Sequence, residues 1–331
     1  MKRITLRSIG YISLLIIVLA ACSPAASDGD GESAGPIRLA VTGGIPPDVT
    51  AHHYWYSEEE GFFDDAGVEV EIIPVSDDQI SLRGLAAGEF DVSETGCTAA
   101  MVAIEVGAPL RFIGAVEDKL DYSMVAIRDI TSPRETEGKA LGVSAPGAIS
   151  FQVPKLLVEA DGGDFDNVEV VSVGGSSSRA QALINGTIDA GVVNSVWVAR
   201  LGEYDHLHVV ADATSLDLLF SCIITTEQMI EERPDDLRAF LKGVLDGAQW
   251  GLTDTADAIQ ISESLLPELE PALIAATVNS FADRGYWNTT GIIDRSTWDF
   301  TNAIIVDAGD LIESLNYDDF VVTDLLEGSS E

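Results

Sequence analysis

The chain has 331 residues, of which 46% are hydrophobic, enough for a packed core and, by length, for about two domains. Its 55 acidic residues outnumber its 18 basic ones and give a formal net charge of −37, which excludes nucleic-acid binding because that function needs a basic surface. The acidic residues are scattered along the chain, a distribution typical of a solvated surface that indicates little about a ligand.

The amino-terminal segment predicts export and lipid anchoring. Three basic residues precede an apolar run, Ile12 to Ala21, which is too short to span a bilayer and has the layout of a secretory signal. The tetrapeptide LAAC that ends in Cys22 resembles the lipobox of bacterial lipoproteins. We therefore expect a signal peptide at 1–21, a lipidated Cys22 and a flexible acidic tether at 22–36. An ordinary signal peptide that contains a cysteine is the alternative.

From residue 37 onward, apolar runs with strand character alternate with segments of helical character. The first series comprises strands at Ile37–Val41, Val68–Val75, Asp91–Ser93 and Leu110–Ala115 and helices at His52–Glu60, Gln79–Ala87 and Thr95–Val106. Glycine follows each of these helices, as expected at a helix end. Strands and helices that alternate in this way predict a parallel sheet covered by helices.

A second series of the same kind follows an apolar strand at Tyr122–Ile127. It comprises strands at Ala140–Val143, Val168–Val173, Ala190–Val193 and Leu207–Val210 and helices at Ser150–Glu159, Ser178–Ile184 and Val196–Leu201. A further apolar passage, Leu218–Ile224, precedes a mostly helical remainder. Thr225 and Gln228 have the spacing of a capping box for its first helix.

The second series is thus inserted into the first. We predict an α/β fold of two Rossmann-like lobes with mostly parallel sheets, joined by a two-strand hinge near Met124 and Cys222. The expected boundaries are 37–124 plus 222–327 for lobe I, 125–221 for lobe II and 328–331 for a tail. Cys97 could pair with Cys222 in an oxidising compartment, but buried free thiols are our interpretation.

Ligands of open parallel sheets bind beyond the carboxyl ends of the strands, where helices begin. The segments at these positions contain the candidate ligand-binding residues Thr42, Gly43, Pro46, His52, His53, Trp55, Glu94, Thr95, Gly96, Ser144, Gly147, Ala148, Ile149, Ser150, Ser176, Asn194 and Trp197. The loop at 144–150 is the strongest candidate, because small residues admit a ligand and helix-start amides suit an anion. A Gly-Pro turn capped by Ser150 is the alternative there. A core position is an equally good interpretation of Trp197.

The histidines do not predict a metal centre. His52 and His53 diverge as neighbours on a helix, and His206 and His208 have no acidic or cysteine partner at a convincing ligand spacing. The chain also lacks a Gly-x-Ser-x-Gly elbow and any arguable Cys–His pair. We therefore expect no metal, no cofactor and no catalysis.

Several segments together resemble one protein family. HHYWYSEEEGFFDDAGVEVEII, LRGLAAGEFDV, KALGVSAPGAISFQVPKLLVEADG and RAQALINGTIDAGVV occur in the order typical of the periplasmic binding proteins for nitrate, sulfonates and thiamine pyrimidine. The resemblance extends over about Ile37 to Leu326. It implies the type 2 periplasmic binding protein fold, with a ligand held between two lobes.

The resemblance also implies a function. The chain would be a solute-binding lipoprotein of an ABC importer, a monomer held on the extracytoplasmic side of the cell membrane through Cys22, with the permease subunits and the lipid bilayer as partners. The helix-start amides favour a small organic anion of the sulfonate or carboxylate type as the solute. A thiamine-precursor pyrimidine or similar heterocycle is the alternative ligand, and a sensor lobe for a membrane receptor is the alternative role.

Overall fold

The computed structural model describes residues 35–42, 45–144, 149–216 and 218–327. The predicted signal peptide, the lipidation site Cys22, nearly all of the tether and the tail at 328–331 lie outside the described residues, as do the candidate site residues Gly43, Gly147 and Ala148. In the part of the chain that is described, no helix has the length and apolar character needed to cross a membrane.

The described residues form ten β-strands and thirteen α-helices. The strands are β1 (Ile37–Val41), β2 (Val70–Pro74), β3 (Val92–Gly96), β4 (Leu110–Gly114), β5 (Ser123–Ile127), β6 (Ala140–Val143), β7 (Glu169–Ser172), β8 (Ala190–Val193), β9 (Leu207–Asp212) and β10 (Ser221–Thr226). The helices are α1 (His53–Glu59), α2 (Phe62–Ala66), α3 (Asp78–Ala86), α4 (Cys97–Glu105), α5 (Ile149–Ala160), α6 (Ser176–Ile184), α7 (Ser195–Leu201), α8 (Glu227–Glu232), α9 (Pro234–Thr253), α10 (Thr255–Leu265), α11 (Pro271–Arg284), α12 (Arg295–Asp307) and α13 (Tyr317–Phe320).

The strands form two five-stranded sheets with the same arrangement. The first sheet has the order β2-β1-β3-β10-β4 and the second has the order β7-β6-β8-β5-β9. In each sheet the first three strands are parallel, and the fourth strand runs antiparallel to both of its neighbours. The prediction of an α/β fold with two mostly parallel sheets is confirmed, with one antiparallel strand in each sheet.

The antiparallel strands explain how the chain passes between the two sheets. β5 belongs to the second sheet and β10 to the first, so that one crossing segment lies between β4 and β5, at residues 115–122, and the other lies between β9 and β10. We call the first sheet with its helices lobe I and the second sheet with α5, α6 and α7 lobe II. Met124 and Cys222, which were expected to mark the hinge, lie inside β5 and β10.

Cys97 and Cys222 form a disulfide bond, with Cα atoms 5.1 Å apart, so their interpretation as free thiols is wrong. Cys97 directly follows β3, and the register of β3 with β10 places Cys222 opposite Thr95. The pairing of the two strands therefore brings the cysteines together across a sequence separation of 125 residues. A disulfide of this kind is typical of proteins exported to an oxidising compartment.

The cap of α8 differs from the prediction by one residue. Thr226 is the N-cap, because its Oγ1 accepts a hydrogen bond from the amide of Met229 at 3.1 Å. Thr225 instead lies in β10 and donates from Oγ1 to the backbone oxygen of Asp91 at 2.7 Å. The strand thus extends further than its apolar residues indicate, since Thr225 is buried with its hydroxyl bonded.

Candidate functional site

A cavity of about 580 Å³ lies between the lobes, where several strands end and the crossing segments begin. It is lined by Thr42, Asp48, Thr50, Ser76, Asp77, Asp78, Glu94, Gly96, Glu117, Asp121, Tyr122, Ser176, Ser177, Asn194, Trp197, Phe220 and Ser221. Residues of lobe I, of lobe II and of both crossing segments therefore face one space. This is the position at which open α/β sheets bind ligands.

Glu94 forms part of the wall that lobe I contributes. It lies in β3, opposite Val41 of β1, and its Oε2 accepts a hydrogen bond from the amide of Thr42 at 3.1 Å. The residue is buried, with 4% of its surface exposed. Burial, together with the neighbouring carboxyl groups of Glu117 and Asp78, raises the pKa of Glu94 well above its usual range.

Asp48 connects the two lobes across the cavity. Its Oδ1 accepts from the amide of Thr50 at 3.3 Å and caps a short helical turn. Its Oδ2 accepts from Nδ2 of Asn194, which precedes α7 in lobe II, at 3.0 Å. Burial of the carboxyl group, and then the nearby negative charge of Asp121, raise the pKa of Asp48 to about 6.

The first crossing segment contributes Glu117 and Asp121, which have different surroundings. Glu117 is 2% exposed, and among the described residues its Oε1 has no hydrogen-bond partner. Burial raises the pKa of Glu117 to about 8; a hydrogen bond with Thr50 opposes this shift, and Asp48 and Asp121 add to it.

Asp121, in contrast, is well partnered. It accepts from the amide of Ser195 at 3.0 Å and from the Ser195 hydroxyl, and it lies 3.5 Å from Nη2 of Arg284. The pKa of Asp121 is raised because burial outweighs these bonds.

The start of α3 supplies two more carboxyl groups. Asp77 caps the helix and accepts from the amide of Ile80 at 2.9 Å, and Asp78 accepts from Thr95 Oγ1 at 2.8 Å and from the amide of Gly96 at 3.1 Å. A Cβ atom at Gly96 would lie 3.0 Å from Asp78 Oδ2, so a larger residue there would displace the Asp78 side chain that bonds to Thr95 and Gly96.

The other walls of the cavity are polar or aromatic. Ser176 and Ser177 begin α6, and Trp197 lies in the first turn of α7. Tyr122 and Phe220, one from each crossing segment, have ring centroids 6.3 Å apart in an edge-to-face arrangement. These rings offer flat apolar surface to a ligand beside the polar groups.

An arginine lies behind this wall. Arg179 of α6 is fully buried and donates to the backbone oxygens of Val192 and Gly174, both at 2.6 Å, and to Ser176 Oγ at 3.1 Å. Its guanidinium also lies 6.0 Å from the centre of the Tyr122 ring. Arg179 therefore orients cavity residues without itself lining the cavity.

The lining is strongly acidic. Six of its side chains are carboxylic acids (Asp48, Asp77, Asp78, Glu94, Glu117 and Asp121), and the described lining contains no lysine, arginine or histidine. An anion site needs the opposite charge or an array of free amides. The prediction of an organic anion therefore finds no support in the charge of this cavity.

Six of the predicted ligand contacts line the cavity, namely Thr42, Glu94, Gly96, Ser176, Asn194 and Trp197. Thr95 lies beside it, and its hydroxyl is bonded to Asp78. The strongest predicted loop does not contribute to the described lining. The hydroxyls of Ser144 and Ser150 are hydrogen-bonded to each other at 2.6 Å, and Ser150 Oγ also accepts from the amide of Ser144 at 2.9 Å. Ser150 is the second residue of α5 and therefore not its N-cap, so the capping interpretation finds no support. Pro46 is exposed outside the lining.

His52, His53 and Trp55 lie in the core of lobe I and not at the cavity, contrary to their assignment as contacts. His52 Nδ1 is 2.9 Å from Ser262 Oγ, and His53 Nδ1 is 3.2 Å from the backbone oxygen of Thr50. Burial lowers the pKa of His52 to about 4 and that of His53 to about 3, so both rings are neutral at neutral pH. α1, which begins at His53, packs against α9, where Ser57 Oγ donates to the backbone oxygen of Gly243 at 2.9 Å.

Sequence reasoning missed several residues of the lining. They are Asp48, Thr50, Ser76, Asp77, Asp78, Glu117, Asp121, Tyr122, Ser177, Phe220 and Ser221. A signal existed for the stretch at 76–78, because it follows β2 in the same way that Thr42 follows β1. The residues of the crossing segments had no such signal, since their position depends on how the two lobes pack.

A second cavity, of about 510 Å³, lies beside α3 and α4 and is lined mainly by apolar side chains such as Leu82, Val102 and Ile149. Ile149 is thus the one predicted contact found in its described lining. The cavity at the strand ends is the better candidate site, because open α/β sheets bind ligands beyond the carboxyl ends of their strands.

The carboxyl groups do not form a metal centre. Within the described residues, no group of three or more His, Cys, Asp or Glu side chains is arranged to hold a metal ion.

The comparisons with known proteins agree with the fold. The family described as NMT1/THI5 like matches residues 50–258. The chain is 24% identical to a protein of Bacillus subtilis strain 168 assigned as aliphatic sulfonates-binding, over 78% of this chain and 81% of the relative. It is also 24% identical to the formylaminopyrimidine-binding protein of Halalkalibacterium halodurans, over 77% of this chain and 78% of the relative.

Solved structures with the same fold include both a binding protein and an enzyme. The periplasmic aliphatic sulphonate binding protein SsuA from Escherichia coli superimposes with a TM-score of 0.70 at 15% identity, covering 88% of this chain and 93% of that one. The desulfurization enzyme DszB superimposes with a TM-score of 0.65 at 16% identity, covering 88% of this chain and 98% of that one. At these identities the likeness concerns the fold alone.

Proposed function

The chain belongs to the NMT1/THI5-like family, and from this premise we propose that it is the solute-binding component of an ABC importer. It captures a small molecule between its lobes and presents it to the permease. The observation that carries the proposal is the cavity of about 580 Å³, which collects residues from lobe I, lobe II and both crossing segments. The two relatives whose names state a small-molecule ligand support the same role.

Solute capture would couple to closure of the lobes. A solute that contacts Asp48 on one side and Asn194 on the other binds the closed arrangement more tightly and shifts the population toward it. Micromolar affinity corresponds to about −8 kcal/mol, which needs several such contacts at once. The hydrogen bond of 3.0 Å between Asp48 and Asn194 supports the closed arrangement.

We further propose that the protein is exported and functions as a monomer on the extracytoplasmic side of the membrane, where acylated Cys22 anchors it. The lipobox-like LAAC sequence supports the anchor. The disulfide between Cys97 and Cys222 supports an oxidising compartment.

A binding role is preferred to an enzymatic one. The relatives in sequence carry names of binding proteins, whereas the enzyme DszB is similar in fold at 16% identity. The described lining of the cavity also offers neither a cysteine nor a histidine as nucleophile or general base.

The charge of the cavity bears on the solute. The names of the relatives point to two ligand classes, sulfonates and a pyrimidine with nitrogen substituents. Six carboxyl groups in the lining favour the second class, because a sulfonate would enter a field of its own sign. A small nitrogen-bearing heterocycle is therefore our preferred solute.

A solute screen tests the function. The purified full chain is mixed with a library of small solutes, thermal shifts identify binders, and calorimetry measures their affinity and stoichiometry. We expect at least one solute to bind with 1:1 stoichiometry, to be recovered chemically unchanged, and to bind more weakly to N194A than to the control N185A, which changes an exposed residue. Conversion of the bound solute would contradict a binding role, and an absence of binders would contradict solute capture.

A further inference from the structure

The carboxyl groups of Asp48, Glu94 and Glu117 face the cavity without a positive partner. None of the ion pairs formed by the described residues involves any of the three. Glu117 is the clearest case, because it is 2% exposed and its Oε1 accepts no hydrogen bond from a described residue. A buried acceptor of this kind is unfavourable unless something bonds to it.

We propose that the solute carries a positively charged nitrogen group, and that this group binds to Asp48, Glu94 and Glu117; the inference depends on the proposed function of the cavity. The group would be an amine, an amidine or a protonated amino-heterocycle. Its N–H donors would satisfy Oε1 of Glu117, and its charge would compensate the three carboxylates.

The other acidic residues of the lining already have their partners. Asp121 lies 3.5 Å from Arg284 and accepts from Ser195 at 3.0 Å. Asp77 and Asp78 accept from backbone amides at the start of α3 and the end of β3. Among the described residues Asp77 and Asp78 also have no ion pair, but Asp77 is exposed to solvent and Asp78 accepts two hydrogen bonds. Burial, in contrast, raises the pKa of each of the carboxyl groups of Asp48, Glu94 and Glu117. We therefore assign the solute to these three residues.

Nearby arginines do not supply an anion site. Arg179 donates to Val192, Gly174 and Ser176 and is hydrogen-bonded to the Tyr122 side chain, and it is not part of the described lining. Arg284, which is not part of the described lining, bonds to Ser195 and pairs with Asp212 and with the lining residue Asp121. The described lining thus offers a sulfonate six carboxyl groups and no guanidinium.

Two further features suit a flat organic cation. Asn194 donates from Nδ2 to Asp48, and its buried Oδ1 has no partner among the described residues, which leaves a second acceptor for a solute N–H. Tyr122, Trp197 and Phe220 line the same cavity and offer ring faces to a cation. A metal ion is a poorer occupant, since the described residues contain no metal-holding group.

The protonation of the cluster gives the inference a measurable consequence. Without a solute, burial and the mutual repulsion of carboxyl groups raise the pKa of Glu117 to about 8 and that of Asp48 to about 6, so that protons occupy part of the cluster near neutral pH. The carboxyl groups of Asp78 and Asp121 and the buried phenols of Tyr54, Tyr122 and Tyr286 also interact with the cluster. The guanidinium of Arg284 interacts with Asp121. A cationic group favours the ionised carboxylates and displaces the protons, so its affinity should rise with pH.

The experiment compares solutes by charge. The full chain is screened against benzylamine, benzyl alcohol and phenylmethanesulfonate, which share one ring, and against a wider library of amines, amidines, neutral heterocycles, carboxylates and sulfonates. Each binder is measured by calorimetry in two buffers of different ionisation enthalpy, which counts the protons released. The variants are E117Q and E94Q, with E59Q as the control because Glu59 is exposed on α1.

We expect the binders to be cations that release protons, that bind at least tenfold more weakly to E117Q and E94Q, and that bind equally to wild type and E59Q. Binding confined to anions or neutral molecules would overturn this inference and leave the proposed function standing. If cations bound equally well to wild type, E117Q and E94Q, the assignment of the cationic group to Glu117 and Glu94 would be wrong. The absence of any binder would contradict the proposed function itself. Circular dichroism checks that each variant is folded. Because E117Q and E94Q change different residues, either one tests the inference if the other fails to fold.

Discussion

Asn194 of lobe II donates a hydrogen bond from Nδ2 to Oδ2 of Asp48 in lobe I, over 3.0 Å. The bond joins two residues of the cavity lining, one before α7 and the other at the cap of the turn that follows β1. A solute that binds beside this pair therefore contacts two lobes that a direct bond already holds together.

Removal of this bond should weaken solute binding. In N194A, Asp48 loses its partner in the other lobe and the solute loses the acceptor Oδ1, so we expect the Kd to rise about tenfold or more, as for a hydrogen bond to a charged group. Titration calorimetry with a solute that binds the wild type measures the change. The control N185A should retain the wild-type Kd, and an N194A variant of unchanged affinity would show that the pair plays no part in binding.

The buried glutamate at position 117 should make the solute-free protein less stable at alkaline pH. Its pKa is about 8 in the folded protein against an ordinary value of 4.5, so the folded state binds more protons than the unfolded state between these values. The contribution of this group to the free energy of unfolding has its full value below about pH 4.5. That contribution is lost as the pH rises through 8.

The variant E117Q has no charge to bury, and it should therefore be more stable than the wild type at pH 9, by a few kcal/mol at most, and similar to it at pH 5. Urea unfolding at the two pH values, without solute, measures the difference. E59Q should follow the wild type. If E117Q lost as much stability between pH 5 and pH 9 as the wild type, Glu117 would not hold a proton in the folded state.

The disulfide should contribute strongly to stability. It closes a loop across a sequence separation of 125 residues, and the chain-entropy relation assigns about 4–5 kcal/mol to a loop of that length. The double variant C97S/C222S should unfold at a correspondingly lower urea concentration. A reducing agent should lower the stability of the wild type and leave that of the double variant unchanged; equal stability of both proteins under oxidising conditions would exclude the bond.

The contact between α1 and α9 requires a glycine at position 247. A Cβ atom there would lie 2.9 Å from the backbone oxygen of His53 and still closer to the hydroxyl of Ser57. G247A should therefore destabilise lobe I by about 1–3 kcal/mol, the usual cost of overpacking. G175A is the matched control, because a Cβ at Gly175 meets no atom within 4 Å. Thermal unfolding compares the two variants, and equal melting temperatures would contradict the close packing.

Particular residues show how much the sequence could predict. The bounds of β1, β6 and β8 coincide with the predicted strands, because each is a short apolar run whose ends the surrounding polar and glycine residues mark. Glu94 and Asn194 were predicted as site residues because they end or follow predicted strands, and strand ends are ligand positions in this class of fold.

The other features of the fold and the candidate site depend on tertiary structure. Glu117 and Asp121 lie in a crossing segment without periodicity, and only the packing of the lobes brings them to the cavity. Cys97 reaches Cys222 through the register of β3 with β10, which no local pattern reveals. His52 and His53 were predicted as ligand contacts, yet they are buried in the core of lobe I, where Ser262, Thr50 and Pro47 provide polar partners.

The position of a bound solute tests the central claim most directly. A crystal structure of the full chain with a solute identified by calorimetry should show that solute between the lobes, in contact with Asp48, Glu117 and Asn194 and against the ring of Trp197. A solute found instead in the apolar cavity beside Val102 and Ile149, or bound to one lobe alone, would contradict the account.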